Sequence, residues 1–349
     1  MGEKNHPNFP FERIPVPLIS WFQAHKRDLP WRNNPTPYQV WVSEIMLQQT
    51  RVEAVKGYYQ RFIEALPTVQ DLAVCEEEKL LKLWEGLGYY SRVRNMQKAA
   101  QELVVAYNGI FPSEKETLMK LPGIGSYTAG AIASIAFGQK QAAVDGNVFR
   151  VIGRLSEDKT PISDPKYKKY LEEKLTAVYP DDKQSCSAFT QGLFELGATV
   201  CLPKNPRCDC CPLAELCRAK KNGAQLQFPV LKEKKEKRLE RVYIFLIQTR
   251  EGFCIRRRES GVLKGMNEFP SYVLERGESA ENILNEWGMY AFTEIKRKKY
   301  KHVFTHIVWD ITCVWVKTDG AEFDSYALDE IKESISLPTA FRQCLSMLE

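Results

Sequence analysis

"LPGIGSYTAGAIASIAFG", residues 121–138, sets two closely spaced glycines before a run of small and apolar residues. Gly123 and Gly125 permit a backbone turn that residues bearing a Cβ resist. Just upstream, Ser113 and Glu116 stand three apart after Pro112, a capping-box spacing that predicts a helix opening at "SEKETLMKL" (113–121). Downstream, "YTAGAIASIAFG" predicts a second helix. The stretch reads as helix, glycine hairpin, helix. The second helix turns free N–H groups outward at Gly125 and Ser126, which suits a phosphate. Glycine punctuation between helices is common, so the hairpin alone does not identify a nucleic-acid protein.

The helical texture extends on both sides. From about residue 15 to 220, apolar positions recur at helical spacing in "PLISWFQAH", "VWVSEIMLQQTRVEAVKGYYQRFIEAL", "EKLLKLWEGL" and "RNMQKAAQELVVAY". After Cys217 the texture changes. "RAKKNGAQLQFP" and the charged run that follows lack apolar periodicity and read as a linker. Beyond it, "RVYIFLIQ" (241–248), "TREG" and "FCIRRR" (253–258) read as strand, turn, strand, and "HIVWDITCVWVK" (306–317) as another strand-rich stretch. "DEIKESISLPTAFRQCLSML" looks helical. The expected architecture is multidomain. An all-α domain covers 1–225, a charged linker 226–240, and a smaller α+β domain 241–349.

At 349 residues the chain can bury two cores, and its net charge of +5 is only mildly basic. The basic runs "KEKKEKRLER" (232–241), "RRR" (256–258) and "KRKKYK" (296–301) are each either a solvated face or linker, or a contact to a polyanion. No apolar run reaches membrane-spanning length, and "MGEKNHPNFPFERIP" lacks the apolar core of a secretory signal. The expectation is a cytoplasmic protein without a membrane partner. There disulfides are disfavoured, and clustered cysteines more often bind metal.

Such a cluster is present. "CLPKNPRCDCCPLAELC" (201–217) spaces Cys201, Cys208, Cys211 and Cys217 as Cys-x6-Cys-x2-Cys-x5-Cys, with Cys210 as an extra thiol. Four soft thiolates satisfy either zinc or an iron–sulfur cluster, and a single compact loop fits a cubane better than structural zinc. Lys204 and Arg207 lie on the first loop those ligands create. They either dock a phosphate backbone or offset the charge of the thiolates.

Two carboxylates stand in apolar surroundings. Glu44 is the only charged residue between Arg32 and Arg51, and Asp145 the only one between Lys140 and Arg150. A carboxyl in an apolar helix resists ionising, which raises its pKa toward values useful to a general acid. A second carboxylate in a more polar turn stays ionised and stabilises positive charge. Cleavage of a glycosidic bond needs that pair, although capping or ion pairing accounts for either acid alone.

In this order, "SEIMLQQTRV", "GLGYYSRVRN", "LPGIGSYTAGAIASIAFG", "VDGNVFRV" and the cysteine loop closely resemble adenine DNA glycosylases of the MutY type. The resemblance implies a helix–hairpin–helix glycosylase with a [4Fe–4S] cluster on the four spaced cysteines. It implies a monomer acting on double-stranded DNA that carries adenine opposite 8-oxoguanine. By it, Glu44 protonates the flipped adenine, Asp145 stabilises or attacks the sugar cation, and Tyr127 and Asn147 support them. Arg27, Trp31, Arg32, Leu47 and Gln191 match the base pocket. Gln49 and Tyr89 match the residues that wedge into the duplex, with Gln48, Thr50, Leu87 and Gly88 beside them on the DNA face. Endonuclease III-like relatives, which cut abasic sites through a Schiff base, carry lysine at the place of Tyr127. A phenol cannot form an imine, so the resemblance points to base removal alone.

The segment from Arg241 to Met289 is similar to the start of a Nudix domain. Hydrolysis there needs a helix bearing Arg-Glu-x-x-Glu-Glu to hold Mg²⁺. Those places hold Glu281, Asn282, Asn285 and Glu286, so one carboxylate of three survives. In the resembled family this domain reads 8-oxoguanine through a Phe-Ser-His loop, which here is Phe304, Thr305 and His306. Two other readings compete: an endonuclease III-like lyase, and a non-catalytic iron–sulfur DNA sensor.

Overall fold

In the computed structural model, which describes residues 6–33, 35–232, 236–274 and 278–348, the helix Ser126–Ile135 follows a turn at Gly123, whose φ is +76°. The capping box does not form. The preceding helix is one turn, Lys115–Leu118, with Glu114 at its N-cap and no side-chain cap. Ser113 Oγ donates instead to the Glu114 carboxylate at 3.2 Å, which Gln139 also engages at 3.2 Å. Lys115 is buried and donates to the Ala142 carbonyl at 3.3 Å. Aiming that lysine inward starts the helix one residue later than the spacing implies.

The chain divides into two units: Met1–Val74 with Asn95–Glu233, and Cys75–Arg94 with Lys234–Glu349. The first is helical. Its elements include Pro15–His25, Pro37–Leu47, Val52–Ala65, Gly146–Ser156, Pro165–Thr176 and Lys183–Thr199. The long periodic run after Val40 is thus two helices, broken at Gln48–Arg51, where Gln49 takes a φ of +60°. Ile14, Leu18, Val148, Ile152, Phe189 and Leu193 meet in the core.

The stretch read as the start of a linker belongs to this unit. Phe228 is buried in its core, and the Val230 carbonyl accepts the Ile162 N–H at 3.1 Å. Arg154, itself buried, donates to the carbonyls of Gln225 (2.8 Å) and Phe228 (3.1 Å). Partners more than sixty residues upstream hold the tail down, which local polarity does not reveal. The first strand then begins at Arg238 rather than 241.

The second unit is built on β1 (Arg238–Gln248), β2 (Phe253–Arg257), β3 (Asn267–Glu268), β4 (Ser271–Val273), β5 (Phe292–Val303), β6 (Ile307–Thr318) and β7 (Asp324–Tyr326). The order is β3-β2-β1-β6-β5, with β4 on β1 and β7 on β2; β1 and β6 run parallel and the other pairs antiparallel. Cores lie on both faces, one with the helices Leu328–Glu333 and Thr339–Arg342, the other with Ala280–Glu286. The basic run 296–301 is not a linker but part of β5 at the sheet edge. Lysines there discourage edge-to-edge pairing.

Residues 75–94, read as part of the helical domain, belong to this second unit. Ser336 Oγ donates to the Leu81 carbonyl at 3.1 Å, and Lys82 Nζ to the carbonyls of Lys332 (2.7 Å) and Ile335 (3.0 Å). The helix Glu77–Leu83 has the period of its neighbours in sequence, and only these distant partners assign it elsewhere.

Candidate active site

The helix Pro37–Leu47 is capped by Thr36, whose Oγ1 accepts the Gln39 N–H at 3.3 Å. Tyr38, Val40, Trp41, Val42, Ile45 and Met46 bury it almost all round, and Glu44 is carried inside with them at 5 % exposure. Tyr127, in the first turn of the helix after the hairpin, donates its hydroxyl to Glu44 Oε2. Asp145 caps the helix Gly146–Ser156: Oδ1 accepts the Val148 N–H at 2.8 Å and Oδ2 the Asn147 amide at 2.9 Å.

Burial pushes the Glu44 carboxyl up to about 7; the Tyr127 hydrogen bond opposes it, and Asp145 adds a further rise. The Tyr127 phenol lies well above its ordinary value, first through burial and then through the charges of Glu44 and Asp145, and so remains a donor. Burial also raises Asp145, against the hydrogen bonds from Val148 and Asn147 and the charge of Arg150. Its turn is therefore less water-like than the sequence reading assumes. The hydrogen bonds to its anionic form, rather than solvent, favour ionisation.

Glu44, Tyr127, Asp145 and Asn147 face one cleft of about 900 Å³, together with Arg27, Trp31, Arg32, Leu47, Gln48, Gln49, Thr50 and Gln191. Gln191 Nε2 donates to Ser187 Oγ at 3.1 Å. Arg27 and Arg32 are not free to follow a ligand. Both bind Glu195, which is 1 % exposed: Arg27 Nε at 2.6 Å and Nη2 at 3.0 Å, Arg32 Nη2 at 2.8 Å. Burial alone would raise the Glu195 carboxyl, but the hydrogen bonds from the two arginines outweigh it and hold it below its ordinary value. The sequence reading missed Glu195. It is the only charged residue between Lys183 and Lys204, the same signal that singles out Glu44. Arg150 was missed as well. It donates to Asn147 Oδ1 (2.7 Å) and to the carbonyls of Cys201 (2.7 Å) and Gly197 (2.9 Å). No isolation in the sequence marks it.

At the hairpin, a Cβ on Gly123 would lie 2.8 Å from Asn95 Cβ, so that turn needs glycine for its space as well as its φ. Gly125 is the N-cap and offers no side-chain cap, which leaves backbone donors for a ligand. Ser126 is otherwise engaged: its hydroxyl donates to Glu172 at 2.6 Å.

Cys201, Cys208, Cys211 and Cys217 line one small cavity with Arg154 and Arg207, whereas Cys210 is exposed and turns its thiol to the Arg207 carbonyl at 3.4 Å. Arg154 Nη1 approaches Cys201 Sγ at 3.3 Å, and the Lys220 N–H approaches Cys217 Sγ at 3.4 Å. Among the described residues, no group of three metal-ligating side chains gathers as if around one ion. Lys204 and Arg207 are exposed on the intervening loop.

The second unit holds the remaining candidates. Gly88 and Tyr89 take φ of +69° and +48°, and Tyr89 is half exposed. Leu87, expected on the DNA face, is buried instead; its N–H donates to the Trp84 carbonyl and its carbonyl accepts from Arg92, each at 3.1 Å. Left-handed glycines on either side, Gly86 and Gly88, turn it inward. Phe304, Thr305 and His306 form the tip between β5 and β6, closed by Phe304 N–H to the Ile307 carbonyl at 2.8 Å. The Phe304 ring anchors the tip edge-on to Trp309, with centroids 4.9 Å apart, while Thr305 and His306 are exposed. Thr305 Oγ1 and the Tyr89 hydroxyl are hydrogen-bonded at 2.9 Å, and both line a hollow of about 520 Å³. The helix Ala280–Glu286 carries Glu281, Asn282, Asn285 and Glu286, capped by Ser279. No helix among the described residues is long and apolar enough to cross a membrane.

Comparison with known proteins also finds two domains, but it keeps residues 75–94, which pack with the sheet unit, inside the first of them, as the sequence reading expects. Residues 42–177 match the HhH-GPD superfamily of base excision DNA repair proteins, and residues 242–347 match the NUDIX domain. An adenine DNA glycosylase of Buchnera aphidicola is 34 % identical over 313 residues, covering 86 % of this chain and 84 % of that protein. A human adenine DNA glycosylase is 44 % identical over 223 residues, which is 60 % of this chain but 40 % of the longer human protein. Among solved structures, a non-covalent endonuclease III–DNA complex aligns at 28 % identity and a TM-score of 0.51, over 62 % of this chain and 99 % of that one. With identity of 34 % spread over most of both chains and the two domain matches in this order, the chain belongs to the adenine DNA glycosylase family.

Proposed function

We propose that the chain is a monofunctional DNA glycosylase. It flips adenine out of a duplex where it faces 8-oxoguanine or guanine and hydrolyses the N-glycosidic bond, as a step of base excision repair. One observation carries this reading: a buried Glu44 with a pKa of about 7, hydrogen-bonded by Tyr127, shares a cleft with a second carboxylate on a helix N-terminus. A base must leave the stack to reach such a cleft. There, protonated Glu44 gives its proton to a ring nitrogen of adenine as the bond from C1′ breaks, and the bonding pair leaves with the base. The sugar becomes an oxocarbenium-like cation, which ionised Asp145 stabilises or captures. Water then adds at C1′, releasing Asp145 as the carboxylate where it had bonded there, and the water's proton returns to Glu44. Asn147 and the Val148 N–H hold Asp145 in place, and Glu195 fixes Arg27 and Arg32 on the wall.

The backbone stays whole because Tyr127 stands where a lyase needs an amine, and a phenol forms no imine. Cys201, Cys208, Cys211 and Cys217 supply an all-thiolate set around one cavity, with N–H groups turned to the sulfurs, and this fits a [4Fe–4S] cluster. Bound there, the cluster would fix the loop bearing Lys204 and Arg207 for contact with phosphate. The Thr305–His306 tip supplies the polar groups for 8-oxoguanine, with Phe304 as its anchor. The test is a labelled duplex with adenine opposite 8-oxoguanine, treated with enzyme and then alkali. Strand breaks should appear only after alkali. Breaks without alkali overturn the monofunctional reading, and no adenine release overturns the activity.

A further inference from the structure

Glu85 precedes the loop Gly86–Tyr89 and has no role in the chemistry above, yet it is among the buried carboxylates of the second unit, at 8 % exposure. It accepts the Leu337 N–H at 2.8 Å and Arg342 Nη1 at 3.1 Å, with Lys82 Nζ at 3.2 Å. The loop it introduces is conformationally costly. Gly86, Gly88 and Tyr89 have φ of +98°, +69° and +48°, and a tyrosine is disfavoured in that region. Such a conformation persists only where its surroundings over-determine it. Inside the loop, Trp84 Nε1 and Arg92 Nη2 each hold the Gly88 carbonyl at 3.1 Å. Outside it, Tyr89 itself meets Thr305 Oγ1 at 2.9 Å, and the base of the loop is tied to residues 332–342 by the Glu85 contacts, Ser336 to Leu81, and Lys82 to two carbonyls.

We propose that Glu85 is a positioning residue, a latch that fastens the Tyr89 wedge loop to the C-terminal segment 335–342. The insertion of Tyr89 into DNA is then set from the C-terminal end of the chain. The proposal rests on the reading of Tyr89 as a wedge, and Glu85 acts only through it. Removing the carboxylate leaves the Leu337 N–H and the Arg342 guanidinium without their acceptor and frees the loop to relax from its left-handed turn.

The experiment uses the full chain, an adenine:8-oxoguanine duplex and a fluorescent base analogue beside the mispair that brightens on unstacking. Glu85→Ala should weaken binding by about ten- to a hundredfold, the range for a buried charge-assisted hydrogen bond, and reduce the unstacking signal. Tyr89→Ala should do the same. The double variant should be little worse than either alone, because both remove one function. Glu85→Gln, which keeps an acceptor for Leu337, should recover much of the affinity, and it remains testable if Glu85→Ala fails to fold. The proposal is overturned if Glu85→Ala, or Arg342→Met where Glu85→Ala does not fold, binds and unstacks like the parent protein. Multiplying Glu85 and Tyr89 effects also overturn it, since a merely structural residue gives that result. If the parent protein releases no adenine, the glycosylase reading fails first, and the unstacking signal still reports on the latch.

Discussion

Glu44 carries the sharpest expectation. As the acid form donates the proton, single-turnover excision should fall as pH rises through about 7. A carboxyl whose folded pKa lies above its unfolded value, about 4.3, costs stability when ionised. That cost is absent below the unfolded value, grows across the interval and is complete above the folded one, with a ceiling of roughly 4 kcal/mol. Glu44→Gln should therefore bind the mispaired duplex without releasing adenine, and its melting temperature should gain on the parent's between pH 4 and 8. Parent-like turnover in that variant, or a rate flat across pH 7, removes Glu44 from the role. Glu195 shows how the same isolation in sequence can mean something else. With two arginines in contact it is an ionised clamp, whereas Glu44 meets a phenol and is pushed toward neutrality.

The hairpin helix and the cysteine loop each depend on single positions. A Cβ on Gly130 would lie 2.4 Å from the Ala142 carbonyl oxygen, a backbone atom that cannot swing aside. A Cβ on Gly123 would meet Asn95 Cβ at 2.8 Å in a left-handed turn. Gly130→Ala should thus destabilise by about 2 kcal/mol or more through forced overpacking, read in denaturant melts. Gly123→Ala should cost about 1–3 kcal/mol and also weaken DNA binding, which Gly130→Ala should spare at temperatures where both are folded. In the cysteine loop, Cys210→Ser should leave iron content and colour intact, while Cys208→Ser should lose both. Equal loss of iron in the two variants, by metal analysis after anaerobic preparation, means the ligands are misassigned.

For the molecule as a whole, the division into units decides what a truncation does. A chain ending at Lys232 keeps the cleft, both acids and the packed tail through Val230, so it should still remove adenine. It loses the Thr305–His306 tip, and its preference for 8-oxoguanine over guanine should drop by about ten- to a hundredfold, the worth of one or two hydrogen bonds. It also strips residues 75–94 of their partners at 332–342, so DNA affinity should fall on both duplexes. Single-turnover rate and affinity on duplexes differing only in the base opposite adenine separate the two losses. Full discrimination in the truncated chain refutes lesion reading by the sheet unit.

The candidate site is legible in the sequence because its signals depend on local rarity. A lone carboxylate in an apolar helix, paired glycines and five thiols in seventeen residues are visible without a partner, and they point to Glu44, Asp145, Gly123 and the cysteine loop. Period-2 and helical patterns likewise separate the all-α part from the sheet, since burial of one face imposes them wherever the face ends up. Neither signal carries information about which distant residue lies opposite. Helical period is the same in Glu77–Leu83 as in its neighbours, so only its bonds to residues 332–336 move it to the sheet unit. Leu87 and Tyr89 are both plausible surface residues until left-handed backbone turns one in and the other out. The isolation of Glu195 is as visible as that of Glu44, but its role is fixed by arginines over 160 residues away. Long-range hydrogen bonds among buried polar groups are decided by packing, which no window of sequence contains.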